Sequence, residues 1–382
     1  MTRLWWLPVL ALLSGCPDSH TTLDDLGAQR SGYNWQLRSG IPLPLEPADN
    51  PMSEAGFQLG RHLFYDTRLS ANDTISCASC HHQDKAFADG RVAARGATGE
   101  LHPRNSQALV NIAYNPTLTW GNPSLRTIEQ QIAIPLFGDT PVEHGINDAN
   151  QELVLNRIRS EPAYAPLFDA AFPGEDISYG NIIKALASFV RGLTSFASDF
   201  DRYEQGDSSA LSAPAQRGRE LFFSERLECF HCHGGYNFTD SVLDRTMFVT
   251  DRPFHNTGLY NIDGLGGYPE PNTGVHEISG RAVDMGRFRA PSLRNVAVTA
   301  PYMHDGSVAT LEDAIRNYAA GGRHISTGAR AGDGRLNPYK DGFISGFTIS
   351  DSEITDLIAF LESLTDHAFL TDERFSNPWE AP

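Results

Sequence analysis

The sequence has little positive charge to offer a nucleic acid. Its 382 residues include 30 lysines and arginines against 47 aspartates and glutamates, which gives a formal net charge of −17. The acidic residues are spread along the chain without a long acidic run. A broadly acidic surface argues against nucleic acid as a partner and suits a basic or neutral protein.

The sequence also lacks a hydrophobic run long enough to cross a bilayer. Near the N-terminus, Arg3 precedes an apolar stretch from Leu4 to Leu13, which is shorter than the roughly 20 residues that a spanning helix needs. This pattern is typical of a secretory signal. The stretch ends in LSGC, which resembles a bacterial lipobox. We therefore expect a signal peptide over residues 1–15 and a periplasmic protein held at the membrane by a lipid on Cys16.

An ordinary signal peptide, cleaved near Cys16, is the alternative interpretation. It would leave Cys16 as an unpaired thiol, which is a liability in an oxidising compartment. This consideration favours lipidation.

Cysteine is scarce, and none remains for a disulfide. Besides Cys16 there are two pairs, in CASCH (residues 77–81) and CFHCH (residues 229–233). Cys-x-x-Cys-His is the attachment signature of c-type haem, because two thiols one helical turn apart reach the two vinyl groups and the next histidine then faces the iron. The alternatives are a zinc knuckle, which would need a second pair close by, and a thioredoxin-like dithiol.

The two motifs predict two covalent haem c groups. The residues assigned to attachment are Cys77, Cys80, Cys229 and Cys232. The proximal iron ligands are His81 and His233, whereas His82 and His231 are interpreted as bystanders.

An internal repeat indicates two homologous domains. GRHLFYDTRLS (residues 60–70) precedes the first motif, and GRELFFSERLE (residues 218–228) precedes the second. We expect a tether and N-terminal arm over residues 16–50, a first haem domain over residues 51–207 and a second over residues 208–382.

Helical patterns dominate the sequence. Helices are expected to begin near Ser53, Thr310 and Ser350, and a long one is expected from Ile177 to Phe200. Short strands are expected around Phe248 and Val296. The predicted fold class is all-α, with two cytochrome c-like domains and long loops around buried haems.

These motifs resemble a known family. LFYDTRLS…SCASCH, the Arg104–Asn105 pair, PVEHG and RAPSLRNVAVTAPYMHDGS (residues 289–307) are similar to the bacterial di-haem cytochrome c peroxidase and MauG superfamily. The resemblance covers residues 51–365. CFHCHGGYNFTDS, IPLFGDTPVEHG and NYAAGGR resemble the MbnH-type branch, whose enzymes are encoded beside a copper-binding partner protein.

The resemblance implies an open iron site on the first haem. In the peroxidases a histidine seven residues before the Arg-Asn pair ligates the far side of that haem, and Ala97, which cannot ligate, stands there in this sequence. His102 is offset from that position and is interpreted as a loop histidine. We therefore expect the first haem to bind hydrogen peroxide.

The resemblance also implies the residues that assist peroxide cleavage. Glu143 matches the catalytic glutamate, which would move a proton between the two peroxide oxygens. Gln131 matches the neighbouring amide, although a short insertion separates the two, and Pro135 would crowd the pocket as in MauG.

The second haem has two candidate distal ligands. Met303, in PYMHDG, is what a c-type cytochrome pattern suggests. Tyr318 shares one helical face with Leu311, Ala314 and Ile315, which equally fits an ordinary core tyrosine. The resemblance favours Tyr318, because MauG carries tyrosine on this helix.

The resemblance assigns two further roles between the haems. Trp120 matches the tryptophan that relays charge from one haem to the other. Asn105, with the backbone carbonyls of Thr299 and Pro301, matches a calcium site, and oxygen ligands suit that cation.

The resemblance implies a MauG/MbnH-type oxidase. It would use hydrogen peroxide to oxidise an aromatic residue, tryptophan to kynurenine, on a secreted copper-binding partner. The alternative is a peroxidase that takes electrons from small cytochromes or cupredoxins. A non-catalytic electron carrier is a third class, and Ala97 argues against it.

Overall fold

The structure is a computed structural model that describes residues 32–247 and 253–380. In these ranges the chain is mostly helical, with one two-stranded hairpin, as the predicted all-α class requires. The helices of the first half are α1 (Glu54–Phe64), α2 (Ile128–Phe137), α3 (Gln151–Ser160), α4 (Tyr164–Ala171), α5 (Tyr179–Arg191) and α6 (Asp199–Glu204). Those of the second half are α7 (Ala213–Phe222), α8 (Cys229–His233), α9 (His276–Ser279), α10 (Leu311–Ala319) and α11 (Asp351–Glu362).

Short elements complete the fold. The antiparallel hairpin pairs β1 (His324–Ile325) with β2 (Gly332–Asp333) in the register His324 to Asp333. Single 3-10 turns occur at Thr67–Leu69, Cys77–Ser79, Gln83–Lys85, Ile112–Tyr114, Ala282–Asp284, Val296–Val298, Gly334–Leu336 and Phe369–Thr371. Within the described ranges no helix is long and apolar enough to cross a membrane.

The internal repeat corresponds to the same helix crossing in both halves. A β-carbon on Gly60 of α1 would lie 1.9 Å from the carbonyl oxygen of Ala185 in α5, and one on Gly218 of α7 would lie 1.9 Å from that of Asp356 in α11. Only glycine allows two helix backbones to approach this closely. The two repeated Gly-Arg pairs therefore mark equivalent packing positions.

Each crossing belongs to its own hydrophobic cluster. The first contains Phe57, Phe64 and Phe189, and the second contains Phe222 and Phe360. The C-terminal residues Phe369 and Phe375 pack in the first cluster, although the predicted boundary assigns them to the second domain.

A buried ion pair joins the two halves. The Arg294 guanidinium forms two hydrogen bonds with the Asp201 carboxylate, of 2.8 and 3.0 Å, and both side chains are almost fully buried. Arg38 of the N-terminal arm also lies 3.1 Å from Asp201. One carboxylate thus holds together three distant segments of the chain.

Helix starts that depend on local caps are confirmed. Ser53, Thr310 and Ser350 cap α1, α10 and α11, each accepting a hydrogen bond from a backbone N–H in the first turn. Ser350 also forms the predicted capping box with Glu353.

Two other expectations about secondary structure are wrong. The expected helix from Ile177 to Phe200 stops at Arg191, because the N–H groups of Ser195 and Ala197 donate to the side chains of Asn111 and Asp366. Val296 begins a 3-10 turn instead of a strand. The strand expected around Phe248 lies outside the described residues.

Candidate haem sites

The first attachment motif folds into a single tight turn. Cys77 and Cys80 lie at the two ends of this turn, and the backbone N–H of Ser76 donates to the hydroxyl of Ser79. His81 follows at once, and its Nδ1 lies 2.6 Å from the carbonyl oxygen of Phe87. Phe87 adopts the left-handed conformation, with φ of 62°, which turns that carbonyl toward the imidazole.

The second motif repeats this arrangement on a helical turn. Cys229, Cys232 and His233 belong to α8. The Nδ1 atom of His233 lies 3.2 Å from the carbonyl oxygen of Phe238, which is also left-handed, with φ of 51°. A hydrogen bond at Nδ1 leaves the lone pair of Nε2 free for a metal.

Both histidines are in the form that an iron ligand requires. Burial lowers the pKa of His81 and that of His233 below the usual value. The imidazoles therefore stay neutral at physiological pH, as metal ligation demands. The donor set in both halves fits a covalently attached haem.

A cavity of about 210 Å³ adjoins the second motif. Cys229, Cys232 and His233 line it from α8, and Tyr318 lines it from α10. Met303 lines it as well, so the structure brings both predicted distal ligands to the same cavity. Burial raises the pKa of the Tyr318 phenol above its usual value, so that the phenolate requires a nearby positive charge such as a metal.

Sequence reasoning missed His304 in the same cavity wall. Its ring stacks on that of Phe288, with 3.7 Å between ring centroids and 11° between planes, and its buried Nε2 has no hydrogen-bond partner. Burial lowers the pKa of His304 to about 3, so this imidazole is neutral. The sequence analysis considered this segment only for Met303, and no motif around His304 marks it as a residue of the cavity wall.

His255, another lining residue of this cavity, was also missed. Its Nε2 and Nδ1 atoms each lie 2.7 Å from a carboxylate oxygen, of Asp240 and Asp341 respectively. Burial by itself lowers the pKa of His255, but hydrogen bonds to Asp240, Cys232 and Asp341 raise it to about 11. When Cys232 is bound to haem as a thioether, its contribution to the raised pKa of His255 is lost. The hydrogen bonds to Asp240 and Asp341 remain and still favour the imidazolium.

The predicted peroxide-site residues lie on α2 and the loop after it. Gln131 and Pro135 are one turn apart on α2, and the side-chain Oε1 of Gln131 is buried without a partner. The following loop returns against the helix, because the N–H of His144 donates to the carbonyl of Pro135 at 2.9 Å. This hydrogen bond places Glu143, the residue before His144, near the C-terminal end of α2, which contains Pro135.

His102 lies directly beside Glu143. Its Nε2 is 3.0 Å from Oε1 of Glu143, a contact between two loops that are distant in the sequence. Ala97 is close to the same loop, since its N–H donates to the carbonyl of Glu143 at 2.7 Å. The interpretation of His102 as a plain loop histidine did not anticipate this pairing.

Trp120 connects the cavity of the second motif to a smaller one of about 80 Å³. The smaller cavity is lined by Asn105, Thr299 and Pro301, the three residues of the predicted calcium site. The Nδ2 of Asn105 donates to the carbonyl of Arg91, which leaves its Oδ1 available. Arg289 and Arg294 line the same cavity, so two guanidinium groups would lie near the cation.

The remaining predicted residues lie near carboxylates or outside the described ranges. His82 lies 3.8 Å from a carboxylate oxygen of Asp89, and His231 lies 2.6 Å from one of Glu228. Cys16 and the signal peptide lie outside the described residues, so the lipid anchor stays a prediction.

The fold and these two attachment sites define a di-haem c-type cytochrome. The family described as di-haem cytochrome c peroxidase matches residues 54–209. A cytochrome-c peroxidase, IdrP1, of Denitromonas iodatirespirans is 33% identical over 340 residues, covering 85% of each chain. The methylamine utilization protein MauG of Methylorubrum extorquens is 32% identical over 321 residues, covering 83% of this chain and 80% of the relative.

The chain therefore belongs to the di-haem cytochrome c peroxidase family, which includes MauG. The prediction of a haem-dependent oxidoreductase is confirmed, and two haem c groups are the cofactors that the family implies. Among solved structures, a MauG-like protein associated with microbial copper homeostasis is 50% identical, covering 91% of this chain and 100% of the other, with a TM-score of 0.89. The diheme peroxidase BthA of Burkholderia thailandensis shares the fold at 20% identity, covering 89% and 96% of the chains, with a TM-score of 0.64.

Proposed function

We propose that this protein is a MauG-like oxidase that uses hydrogen peroxide to oxidise an aromatic residue of a partner protein, tryptophan to kynurenine. The observation that carries the proposal is the placement of Tyr318 in one cavity with His233, Cys229 and Cys232. The 50% identity with a MauG-like protein associated with copper homeostasis supports the same branch.

The first site would bind and cleave peroxide. A haem held by Cys77, Cys80 and His81 would supply the iron that hydrogen peroxide oxidises by two electrons. Glu143 would take a proton from one peroxide oxygen and give it to the other, which would leave as water. Gln131, whose amide oxygen is buried without a partner, would assist Glu143, and Pro135 would crowd the peroxide pocket.

Tyr318 and His233, which line one cavity, would both hold the iron of the second haem. Because burial raises the pKa of its phenol, ligation as phenolate depends on the charge of the iron. An anionic ligand stabilises the oxidised states of a haem. Such a site is hard to reduce and suits an enzyme that keeps its oxidising equivalents until a slow protein substrate binds.

Trp120 would pass charge between the two haem sites. It lines the cavity of the second motif and the smaller cavity of the predicted calcium site, and its indole N–H donates to the carbonyl of Asn105. Asn105, Thr299 and Pro301 would hold a calcium ion beside it, with oxygen ligands that suit this cation. The ion would also hold in place the loop that contains Asn105, whose carbonyl accepts the hydrogen bond from Trp120.

The partner would be a secreted copper-binding protein met in the periplasm. A lipid on Cys16 would keep the enzyme at the membrane surface, and a net charge of −17 suits a basic or neutral partner. The 50% identical MauG-like protein is associated with microbial copper homeostasis, which supports a copper-binding partner.

A peroxidase that scavenges hydrogen peroxide is the second candidate. The 33% identity with a cytochrome-c peroxidase over 85% of both chains favours it. In that case the second haem would accept electrons from small cytochromes or cupredoxins, and Met303 in the same cavity would be the ligand that raises its potential.

One experiment separates the two candidates. The di-haem protein is mixed with peroxide and the purified copper-binding protein encoded beside it, and the partner's tryptophan peptides are followed by mass spectrometry. We expect oxygen to be added to one tryptophan, and Glu143→Gln to slow the reaction about 10²–10⁴-fold. An unchanged partner mass together with fast turnover of reduced cytochrome c would establish the peroxidase instead.

A further inference from the structure

His102 and Glu143 form a pair that the sequence did not suggest. Their side chains lie 3.0 Å apart, Nε2 to Oε1. Nε2 of His102 is buried, and its angle to Glu143 is not that of a regular hydrogen bond. A small rotation of the ring would align the two groups, as often happens when a substrate binds.

The loop that carries His102 is fastened to the Glu143 loop by its backbone. The N–H of Ala97 donates to the carbonyl of Glu143, and that of His102 donates to the carbonyl of Ala94. A β-carbon on Gly96 would lie 1.8 Å from the carbonyl oxygen of Val142. This close backbone approach fixes the distance at which the imidazole meets the carboxylate.

Other charged groups on these two loops are engaged elsewhere. The Glu100 carboxylate accepts from the N–H of Val142, the Arg95 guanidinium donates to the carbonyl of Gly99, and Arg104 pairs with Glu277. His144, next to Glu143, lies 2.7 Å through Nδ1 from the carbonyl of Leu69. Within the described ranges His102 is the basic side chain that meets Glu143.

We infer that His102 is a positioning residue that acts through Glu143. After a small rotation of the ring, an N–H at Nε2 would donate to Oε1 of Glu143. This bond would hold the carboxylate in one orientation and leave its second oxygen free for peroxide. The side chains are 25% and 30% exposed, so the pair can also exchange a proton with solvent.

The inference rests on the proposed role of Glu143 and adds a residue to it. A purely structural His102 would only hold its loop, so its loss would slow the reaction equally whether residue 143 is glutamate or glutamine. A histidine that orients the Glu143 carboxylate matters only while that carboxylate is present, and a glutamine that donates through its amide can take its place. The double variant and the His102→Gln variant together distinguish these roles.

The test uses the protein with both haems in place and four variants, His102→Ala, His102→Gln, Glu143→Gln and the double variant His102→Ala/Glu143→Gln. Stopped-flow absorbance gives the rate constant for peroxide between pH 5 and 9. Cyanide association gives a second readout that involves no turnover, because HCN must also lose a proton to bind. His367→Ala, at an exposed position, is the control.

We expect His102→Ala to slow both reactions about 10- to 100-fold, less than the roughly 10²–10⁴-fold of a full acid–base contribution, because Glu143 itself is still present. His102→Gln should recover most of the rate, because its side-chain amide can donate to Oε1 of Glu143 in place of the imidazole. The double variant should be no slower than Glu143→Gln, because residues that act through each other are not additive.

Three outcomes would overturn the inference. One is an unchanged rate and profile in His102→Ala while Glu143→Gln is slow, which leaves the proposed function intact. Another is a double variant slower by the product of the two single effects, which means that the residues act independently. If Glu143→Gln reacts as fast as the wild type, the proposed role of Glu143 fails first and the inference falls with it.

Discussion

The indole N–H of Trp120 donates a 2.9 Å hydrogen bond to the backbone carbonyl of Asn105. The N–H of Asn105 in turn donates to the carbonyl of His304, at 3.0 Å. Trp120 is therefore held by the backbone of Asn105, which is itself hydrogen-bonded to His304 in the wall of the larger cavity. Its ring orientation is coupled to the predicted calcium loop.

Replacing Trp120 by phenylalanine should interrupt charge sharing between the haems. Trp120→Phe keeps an aromatic ring but loses the easily oxidised indole and the hydrogen bond to Asn105, which contributes about 1 kcal/mol to stability. After peroxide addition, the absorbance change of the second haem should be delayed or absent while the first haem still reacts.

The control for this variant is Trp379→Phe. Its indole N–H makes a similar bond, 3.0 Å to the carbonyl of His62, and it lines neither described cavity. An equal delay in both variants would mean that the effect comes from lost stability and not from the path between haems.

The ferric protein should contain one high-spin and one low-spin haem. By the family resemblance, Ala97 would leave the first haem without a distal ligand, whereas Tyr318 lines the same cavity as His233. EPR of the resting enzyme should show both signals, and cyanide should convert the high-spin one without prior reduction. Two low-spin signals would contradict the open site.

Tyr318 and Met303 can be separated by paired variants. Tyr318→Phe should change the low-spin spectrum and shorten the lifetime of the oxidised state formed with peroxide, whereas Met303→Leu should change little. Tyr302→Phe is a matched control, since Tyr302 lines the same cavity but its hydroxyl donates to the carbonyl of Val296. A sulfur-to-iron charge-transfer band lost in Met303→Leu would instead identify methionine as the ligand.

The helix crossings of the two halves should respond alike to an added methyl group. Gly60→Ala and Gly218→Ala each place a β-carbon 1.9 Å from a carbonyl oxygen of the opposing helix, so each should lose about 1–3 kcal/mol through overpacking. Thermal unfolding should show a decrease of about 2–4 °C per kcal/mol. Gly180→Ala is the control, because its β-carbon would meet only the Ser178 hydroxyl, at 3.7 Å.

Local patterns in the sequence predicted much of the fold. Ser53, Thr310 and Ser350 act on N–H groups within the next turn, so their helix starts could be inferred without knowledge of the rest of the chain. The Cys-x-x-Cys-His motifs are equally local. The positive φ of Phe87 and of Phe238, which aims each carbonyl at its histidine, has no such signature.

Long-range contacts account for what the sequence could not predict. The helix expected to reach Phe200 ends early because Asn111 and Asp366 capture backbone N–H groups. His102 faces Glu143 because two loops are joined through their backbones. His255 contacts both Asp240 and Asp341 only because the fold brings their separate segments together.

The buried pair of Arg294 and Asp201 should make stability depend on pH on the acid side. Burial alone would raise the pKa of Asp201, but Arg294 and Ser198 bind the carboxylate and lower it below the usual 3.8. A carboxyl group whose pKa is lower in the folded state stabilises the fold above its unfolded pKa. That stabilisation is lost as the pH falls through the folded pKa.

Asp201→Asn should therefore be strongly destabilising at neutral pH and less so in acid. Removing the carboxylate leaves Arg294 buried without its counter-charge, which costs about 3–5 kcal/mol. Urea unfolding from pH 7 to pH 3 should show a stability difference from the wild type that is constant above about pH 5 and shrinks below about pH 4. Asp169→Asn, at an exposed position on α4, should show almost no difference at any pH, and a gap between Asp201→Asn and the wild type that widens in acid would refute the assignment.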